Sequence, residues 1–534
     1  MRTDTNKYVR WIVPSIGDLI FIVLLGLLAF TALSVRLLGD AGIGWHIRTG
    51  QLILSTHAIP RVDPFSSTMS GQPWFAWEWL YDVVVGWLDS VAGLNAVVFL
   101  TASIIALIFS WTFRLLLQRD TNFLVALCLV LLAASAAMIH FFARPHVVSW
   151  LFTVLWFWIL ESAEKKTGRS PRLLWLLPLL TLVWVNVHGG FLVGFVLLGI
   201  SWLSAAWRWL KLSDDHFDDA LEKIRAGKRA RDLAIVGLAS ALATLANPYG
   251  WRLHLHIYRY LSNRFLMDHI DEFQSPNFHG VAQKCFAILL LLTLVALATR
   301  RAPRESSLST PLVALFAVYS GLYASRNIPV SSLLLILLIG PRLSDAFQKL
   351  AESFAKIRGA SQSHAAQEIS FFQRMQSIEL SVRGHLWPIA AVALMCWITF
   401  HAGNLGATPL MSAHFDSKRF PVGAVDYLQA QHAEGSVLAP DSWGGYLIYR
   451  LYPPIKVAVD DRHDFYGEAF LKSYLKMMHA EPGWQDFLEH HPVRYVVIPK
   501  DSALASVLAE TPSWKQIYSD ELAVVFVAVQ TSSQ

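Results

Sequence analysis

The sequence predicts a polytopic α-helical membrane protein of about eleven spans with a small C-terminal α/β domain. Three observations carry this. Only 16% of the 534 residues are charged while 54% are hydrophobic. Apolar runs near the ~20-residue bilayer length recur through the first three quarters of the chain. From about Phe415 the pattern changes to short β-rich runs alternating with helical ones. A soluble domain carries roughly 25% charged residues, so lipid is the solvent for most of this chain, in keeping with a mean hydropathy of +0.42. The net charge of +5 is accounted for by basic cytoplasmic loops and calls for no nucleic-acid partner.

The spans are expected near residues 16–36, 94–115, 122–142, 146–161, 172–187, 190–208, 232–247, 280–299, 309–324, 328–341 and 385–402. The N-terminal apolar stretch has no small-residue cleavage site and reads as a retained first helix. Placing the N-terminus in the cytoplasm puts segments 1–15, 114–121, 161–173, 208–232, 300–308 and 342–384 inside. These hold most of the 44 Lys and Arg, as the positive-inside rule requires. A multi-pass protein of the cell inner (plasma) membrane is expected, with its tail on the extracytoplasmic (periplasmic) side. Residues 1–402 form the membrane domain, with a first outer loop at 37–93 and a further outer segment at 248–280. Residues 403–534 form the extracytoplasmic domain.

In that tail, runs at 436–440, 455–460, 494–499, 514–519 and 522–529 read as strands. Helices are expected at 422–432, 443–451, 467–480, 484–490 and 502–510. The alternation predicts a partly parallel sheet ending in a hairpin at Asp520–Glu521. The three cysteines, Cys128, Cys285 and Cys396, sit in apolar runs with no metal or redox spacing.

This topology gathers the polar and aromatic clusters on the outer face. Asp40, just after the first span, suits a cation ligand or proton acceptor, or a solvated helix end. "WHIRTGQLI" reads as an amphipathic helix lying in the interface, anchored by Trp45. Its His46 and Arg48 suit a phosphate or lipid headgroups. Asp63 follows in the turn "IPRVDPF", and Glu78 lies within "PWFAWEWLYD", which reads as an interfacial aromatic belt or a sugar platform. Asn186 and His188 in "NVHGGF" sit at the membrane boundary, facing a cavity or bonding between helices. Asp268 and Glu272 belong to the outer segment. Arg326 in "SRNIP" suits a lipid phosphate or a headgroup anchor. In the tail, "DSWGGYLIYR" and "VDDRHDFYG" each follow a strand, where α/β sheets bind ligands. This brings Trp443, Tyr446, Asp460, Asp461 and Arg462 toward one edge, with helix capping as the alternative for Asp441. The chain has no P-loop, GxSxG or HExxH motif.

With these motifs in place, the chain resembles the GT-C class of membrane glycosyltransferases. "DAGIGWHIRTG", "IPRVDPFS", "EWL", "NVHGGF", "NPYG", "EFQSP", "SRNIP" and the tail's "SWGGYLIYR…VAVDDR" resemble a group of bacterial polytopic membrane proteins within that class. The class also includes oligosaccharyltransferases and protein O-mannosyltransferases. The resemblance implies transfer of a sugar, with inversion, from a polyprenyl-phosphate donor to a glycan, lipid or protein acceptor at the membrane lipid surface. It implies that Asp40 acts on an acceptor hydroxyl or binds a divalent cation (Mg or Mn), and that Arg326 and His188 hold the lipid phosphate. Two departures stand out. Gly42 occupies the position of a second acid, and Gly444 and Gly445 stand where the oligosaccharyltransferase "WWDYG" element has Trp and Asp. A transporter or flippase for lipid-linked glycans, or an inactive assembly protein of the same fold, are the alternatives. The lack of an internal repeat and the boundary placement of polar residues favour the enzyme.

Overall fold

The computed structural model describes residues 9–164, 171–213, 217–298, 308–357, 362–382 and 384–529. The basic stretches 1–8, 165–170 and 299–307, assigned to inner segments, lie outside the described residues, as do 530–534. Among the described residues, six helices are long and apolar enough to cross a membrane: Arg10–Phe30, Trp79–Gln118, Phe123–His140, Phe191–Lys211, Val281–Ala298 and Ser325–Leu350. The bent pair Phe371–Ser381 and Leu386–Phe400 makes a seventh if it is one span. Three shorter apolar helices, His146–Ser162, Arg172–Trp184 and Ser309–Tyr323, fall on expected spans. The run at 232–247 falls largely within helix Phe217–Ala243, whose charged first half keeps it out of the crossing set.

Local chemistry sets several boundaries. Ser15 and Asp18 form a reciprocal capping box at the start of helix Ile16–Phe30, satisfying two orphan amides. Helix Trp79–Gln118 is broken at Ala92 and Gly93, where Gly93 has φ 65°, a backbone state glycine enters freely. The break separates a loop-side helical segment from the span expected at 94–115.

Helix Gly42–Thr56 departs from expectation. It is not an interfacial helix: Trp45 is 6% exposed, and His46 and Ile47 are wholly buried. Glycines explain this. A Cβ on Gly50 would land on the carbonyl oxygen of Asp82, and one on Gly86 would fall 2.7 Å from the Gln51 nitrogen. Helix 42–56 therefore lies against helix 79–118 at backbone contact, and its other face meets the tail.

The tail opens with a small antiparallel pair, β1 (Asn404–Leu405) and β2 (Thr408–Pro409). Its main sheet comprises β3 (Gly435–Leu438), β4 (Ile455–Val457), β5 (Tyr495–Pro499), β6 (Trp514–Ser519) and β7 (Ala523–Ala528), in the order β4-β3-β5-β7-β6. β3 pairs in parallel with β4 and β5, and β7 runs antiparallel to both β5 and β6. Alternation along the strands builds two layers. Val437, Val457, Tyr495, Val497 and Val525 join the core of the membrane half. Leu438, Val496, Ile498, Val524 and Phe526 face the tail's own helices, packing with Leu471, Tyr474 and Leu504.

The first loop and the tail interlock. The Ser67 amide donates to the Val457 carbonyl (2.7 Å), and the Val457 amide donates to the Phe65 carbonyl (3.2 Å). The Thr68 hydroxyl donates to the Ala458 carbonyl (2.5 Å). Residues 65–68 thus extend the sheet beyond β4 and cover an edge that would otherwise be open.

Candidate functional site

Asp40 lies in the turn between helix Leu33–Leu37 and helix Gly42–Thr56. Its Oδ1 accepts the Gly42 amide (2.9 Å) and Arg144 Nη1 (3.1 Å). The same Arg144 nitrogen donates to Asp461 Oδ2 in the tail (2.8 Å). Arg144 stands on a corner fixed by donation from the Ala143 amide to the Leu37 carbonyl (2.7 Å), and Pro145 immediately precedes helix His146–Ser162. The guanidinium lies 5.9 Å from the Trp45 ring centre, while the Trp45 indole N–H donates to Asp461 Oδ1 (3.0 Å). Burial opposes the charge on Arg144, but Asp40 and Asp461 outweigh it and hold the arginine firmly protonated. Burial pushes the Asp461 carboxyl up, against the pull of Arg144.

Beside this pair stands Glu78, bracketed by two imidazoles. Its Oε2 is 3.8 Å from His46 Nε2 and its Oε1 is 3.8 Å from His188 Nε2. His46 Nδ1 faces Asp82 Oδ1 at 2.5 Å, leaving Nε2 buried without a hydrogen-bond partner among the described residues. His188 Nδ1 accepts the Gly190 amide (3.0 Å), so in the neutral ring Nε2 carries the hydrogen and points it toward Glu78. Burial pushes the Glu78 carboxyl up to about 8, against the pull of Arg144. Burial, reinforced by Arg326, pushes His188 down to about 3. His46 is also driven down, by burial first and Arg144 second. Near neutrality Glu78 holds its proton and both imidazoles are uncharged.

Arg326 completes the cluster, 3.1 Å from Glu272 Oε1 and 4.5 Å from the Phe273 ring centre. Burial alone would raise Glu272, but Arg326 more than reverses this and holds it at about 2. Arg326, Glu272 and Arg144 all act electrostatically on both Glu78 and His188. The side chains of Asp40, Arg144, Arg326 and Glu272 are 32%, 22%, 27% and 41% exposed, so water reaches each of them.

Of the residues singled out in the sequence, Asp40, Glu78, His188, Glu272 and Arg326 therefore come together, with His46 behind Glu78. The others are engaged elsewhere. Arg462 is buried between Asp63 (2.8 Å) and Asp460 (2.7 Å), with the Tyr466 hydroxyl donating to Asp460 (2.9 Å) and Trp74 4.6 Å from the guanidinium. Arg48 donates to the Tyr449 carbonyl and to Gln51. Asn186 accepts the Trp79 indole N–H and donates to the Leu182 and Ala246 carbonyls. The Trp443 indole donates to the Arg419 carbonyl, and the Tyr446 hydroxyl accepts from Arg450. Asp268 pairs with Arg264 at 3.5 Å and is 60% exposed, lining a separate open groove of about 610 Å³.

Arg144 and Asp82, for which the sequence suggested no site role, complete the cluster, and Asp461 joins it from the sheet edge where the sequence placed it. Arg144 lies in "ARPH" at 143–146, a short polar connection between two expected spans, and Asp461 lies in "VDDR", which follows a strand. Their meeting is tertiary, across 317 positions of chain, and no local pattern announces it.

The surroundings of Asp40 do not fit a divalent cation. Among the described residues no group of three His, Cys, Asp or Glu is placed to hold a metal ion. Among the described residues the carboxylate that shares a hydrogen-bonded neighbour with Asp40 is Asp461, and that neighbour is Arg144.

No protein-family model matches the chain, and no curated protein matches it significantly. Solved structures do. The oligosaccharyltransferase of Archaeoglobus fulgidus, in complex with an inhibitory peptide and a dolichol-phosphate, superposes with a TM-score of 0.57 at 12% identity, over 97% of this chain and 74% of that one. ArnT from Cupriavidus metallidurans, bound to undecaprenyl phosphate, gives 0.50 at 13% identity, over 97% of each. The arabinofuranosyltransferase AftD from Mycobacteria gives 0.50 at 14% identity, over 96% of this chain and 41% of that one. At such identities the likeness speaks to architecture: the chain has the GT-C membrane fold with a small sheet domain at its C-terminus.

Proposed function

We propose that this protein is a membrane glycosyltransferase that moves a sugar from a polyprenyl-phosphate donor to an extracytoplasmic glycan, lipid or protein acceptor. One observation carries the reading. Two guanidinium groups, Arg144 and Arg326, stand with the carboxylates of Asp40 and Glu272 and the protonated Glu78 in one electrostatically coupled, partly exposed cluster. The positive-inside pattern supports an inner-membrane protein with this cluster on the periplasmic face.

The chemistry follows from the charges. Arg326 and the His188 Nε2–H would face the donor phosphate, whose negative charge grows as its bond to the anomeric carbon breaks. The electron pair of that bond leaves with the phosphate. An acceptor oxygen forms the new bond from the opposite face, and its proton passes to Asp40. The Oδ1 of Asp40 already holds Arg144 and the Gly42 amide, so Oδ2 is the oxygen to receive it.

The test is turnover of a radiolabelled polyprenyl-phosphate sugar by the purified protein in lipid nanodiscs. Wild type should transfer label to a cell-envelope acceptor fraction. Asp40→Asn should lose on the order of 10²–10⁴-fold in rate with an unchanged melting curve. Full turnover by Asp40→Asn would remove Asp40 from the reaction. Movement of labelled donor between leaflets without transfer would favour the transporter instead.

A further inference from the structure

We propose that Arg144 is the resident cation of this site, standing where a divalent ion would bridge Asp40 and Asp461, and that the site works without a bound metal. Asp40 comes from the first loop and Asp461 from the tail, and a single nitrogen, Arg144 Nη1, lies 3.1 Å from one carboxylate and 2.8 Å from the other. A Mg²⁺ ion at that point would need oxygens at about 2.0–2.1 Å. The guanidinium fills the place and satisfies both carboxylates by hydrogen bonds instead.

Gly42 shows that the arrangement is built into the chain. A Cβ on Gly42 would land on Arg144 Nη1 and also press on Asp461 Oδ2. Any side chain two residues after Asp40, a second carboxylate included, would expel the guanidinium. A glycine at that position is therefore what makes room for the arginine. Nor is Arg144 a swinging surface side chain. Its backbone corner is tied to Leu37, the Trp45 ring lies beside its guanidinium, and the Trp45 indole fixes Asp461 from the far side. A metal entering here would have to displace the guanidinium and break its charge-assisted hydrogen bonds to both carboxylates.

An organic cation also gives the site something a metal would not. Arginine presents several N–H donors in a fixed plane that matches phosphate oxygens. Nη1 serves the carboxylates, which leaves the rest of the fork for an anionic group that reaches the cluster. The statement about turnover rests on the glycosyltransferase reading, whereas the statement about metal binding does not.

Two measurements separate them. Mn²⁺ binding to the full-length protein in nanodiscs of zwitterionic lipid, read by electron paramagnetic resonance, should show no saturable site in wild type up to millimolar ion. Arg144→Ala, and the bulkier Arg144→Met as a check on folding, should each open one site, at least ~10-fold tighter than any wild-type binding. Asp461→Asn in the same background should abolish it. A saturable wild-type site lost on Asp40→Asn would overturn the proposal, and so would the absence of a site in both arginine variants. The second measurement is transfer by EDTA-treated wild type, expected to match the untreated rate. Loss of transfer restored by Mg²⁺ or Mn²⁺ would overturn metal independence, while absence of transfer under every condition would count against the glycosyltransferase reading and leave the ion-binding result standing.

Discussion

Gly44 and Gly445 meet back to back across 401 positions of chain: a Cβ on Gly44 would land on the Gly445 carbonyl oxygen and fall 2.8 Å from the carbonyl carbon. A Cβ on Gly445 would in turn fall 2.6 Å from the Ala41 carbonyl carbon. The tail helix Asp441–Leu451 can approach helix Gly42–Thr56 this closely only because neither glycine carries a side chain. Backbone cannot yield as a flexible side chain does, so Gly445→Ala should force the helices apart. Overpacking of this kind costs about 1–3 kcal/mol. The expected outcome is a lower melting temperature and faster proteolysis of the tail, measured by scanning fluorimetry and limited trypsin digestion.

Arg462 lies between Asp63 and Asp460 with all three side chains buried. Arg462→Met removes the only charge that compensates the two acids in their contacts. Breaking a buried pair from one side costs about 3–5 kcal/mol. The variant should lose the tail's fold while the membrane helices persist, seen as a low-temperature transition absent from wild type. Replacing all three residues by apolar ones of similar size should restore much of that stability.

Glu78 sets a pH limb for anion binding. Its carboxyl is pushed up to about 8 by burial, so it is neutral below that pH and gains a negative charge as pH rises through it. Arg144 and Arg326 then attract phosphate less well. Affinity for undecaprenyl phosphate in nanodiscs should fall as pH rises through about 8. Glu78→Gln cannot ionise and should stay flat to pH 9. An identical fall in the variant would assign the limb to another group.

Arg326 should matter most for the donor. Hydrogen bonds to charged groups contribute about 1.5–3 kcal/mol, so Arg326→Ala should weaken lipid-phosphate binding roughly 10- to 100-fold. Arg326→Lys, which keeps the charge but loses the planar fork, should fall between. Unchanged affinity in Arg326→Ala would return this arginine to a purely structural partnership with Glu272.

Much of this architecture was legible before any coordinates. All five long strands of the tail fell where β-rich runs predicted them, because a strand buried on both faces, such as Tyr495–Pro499, has little alternative. Asp40, His188 and Arg326 were visible as polar residues at span ends, where lipid makes polarity conspicuous, and Glu78 and Glu272 as acids of the outer segments. The reading failed where the burying surface was another part of the chain. Helix Gly42–Thr56 looks amphipathic enough to lie on a membrane. What covers it is the tail, and the glycines that permit the contact are silent in a hydrophobic pattern. Trp443, Tyr446 and Arg462 sit beside the right strands but are taken up by packing, since strand ends that could bind ligands also need caps and core. Arg144 is not legible as a partner of Asp40, because nothing local distinguishes an arginine that bridges two distant acids.

The pairing of residues 65–68 with β4 sets a timetable for biosynthesis. The hydroxyls of Ser67 and Thr68 wait for carbonyls 390 positions further on, which at about 5–20 residues per second is on the order of 20–80 s of translation. Through that interval Asp63 has no Arg462, and a chain stalled or truncated before the tail would display an unmatched backbone edge and a buried-type carboxylate to solvent. The boundary near residue 403 therefore marks a change of solvent and not a line along which the protein can be divided. The membrane half reaches its final form only when the last quarter of the chain has arrived.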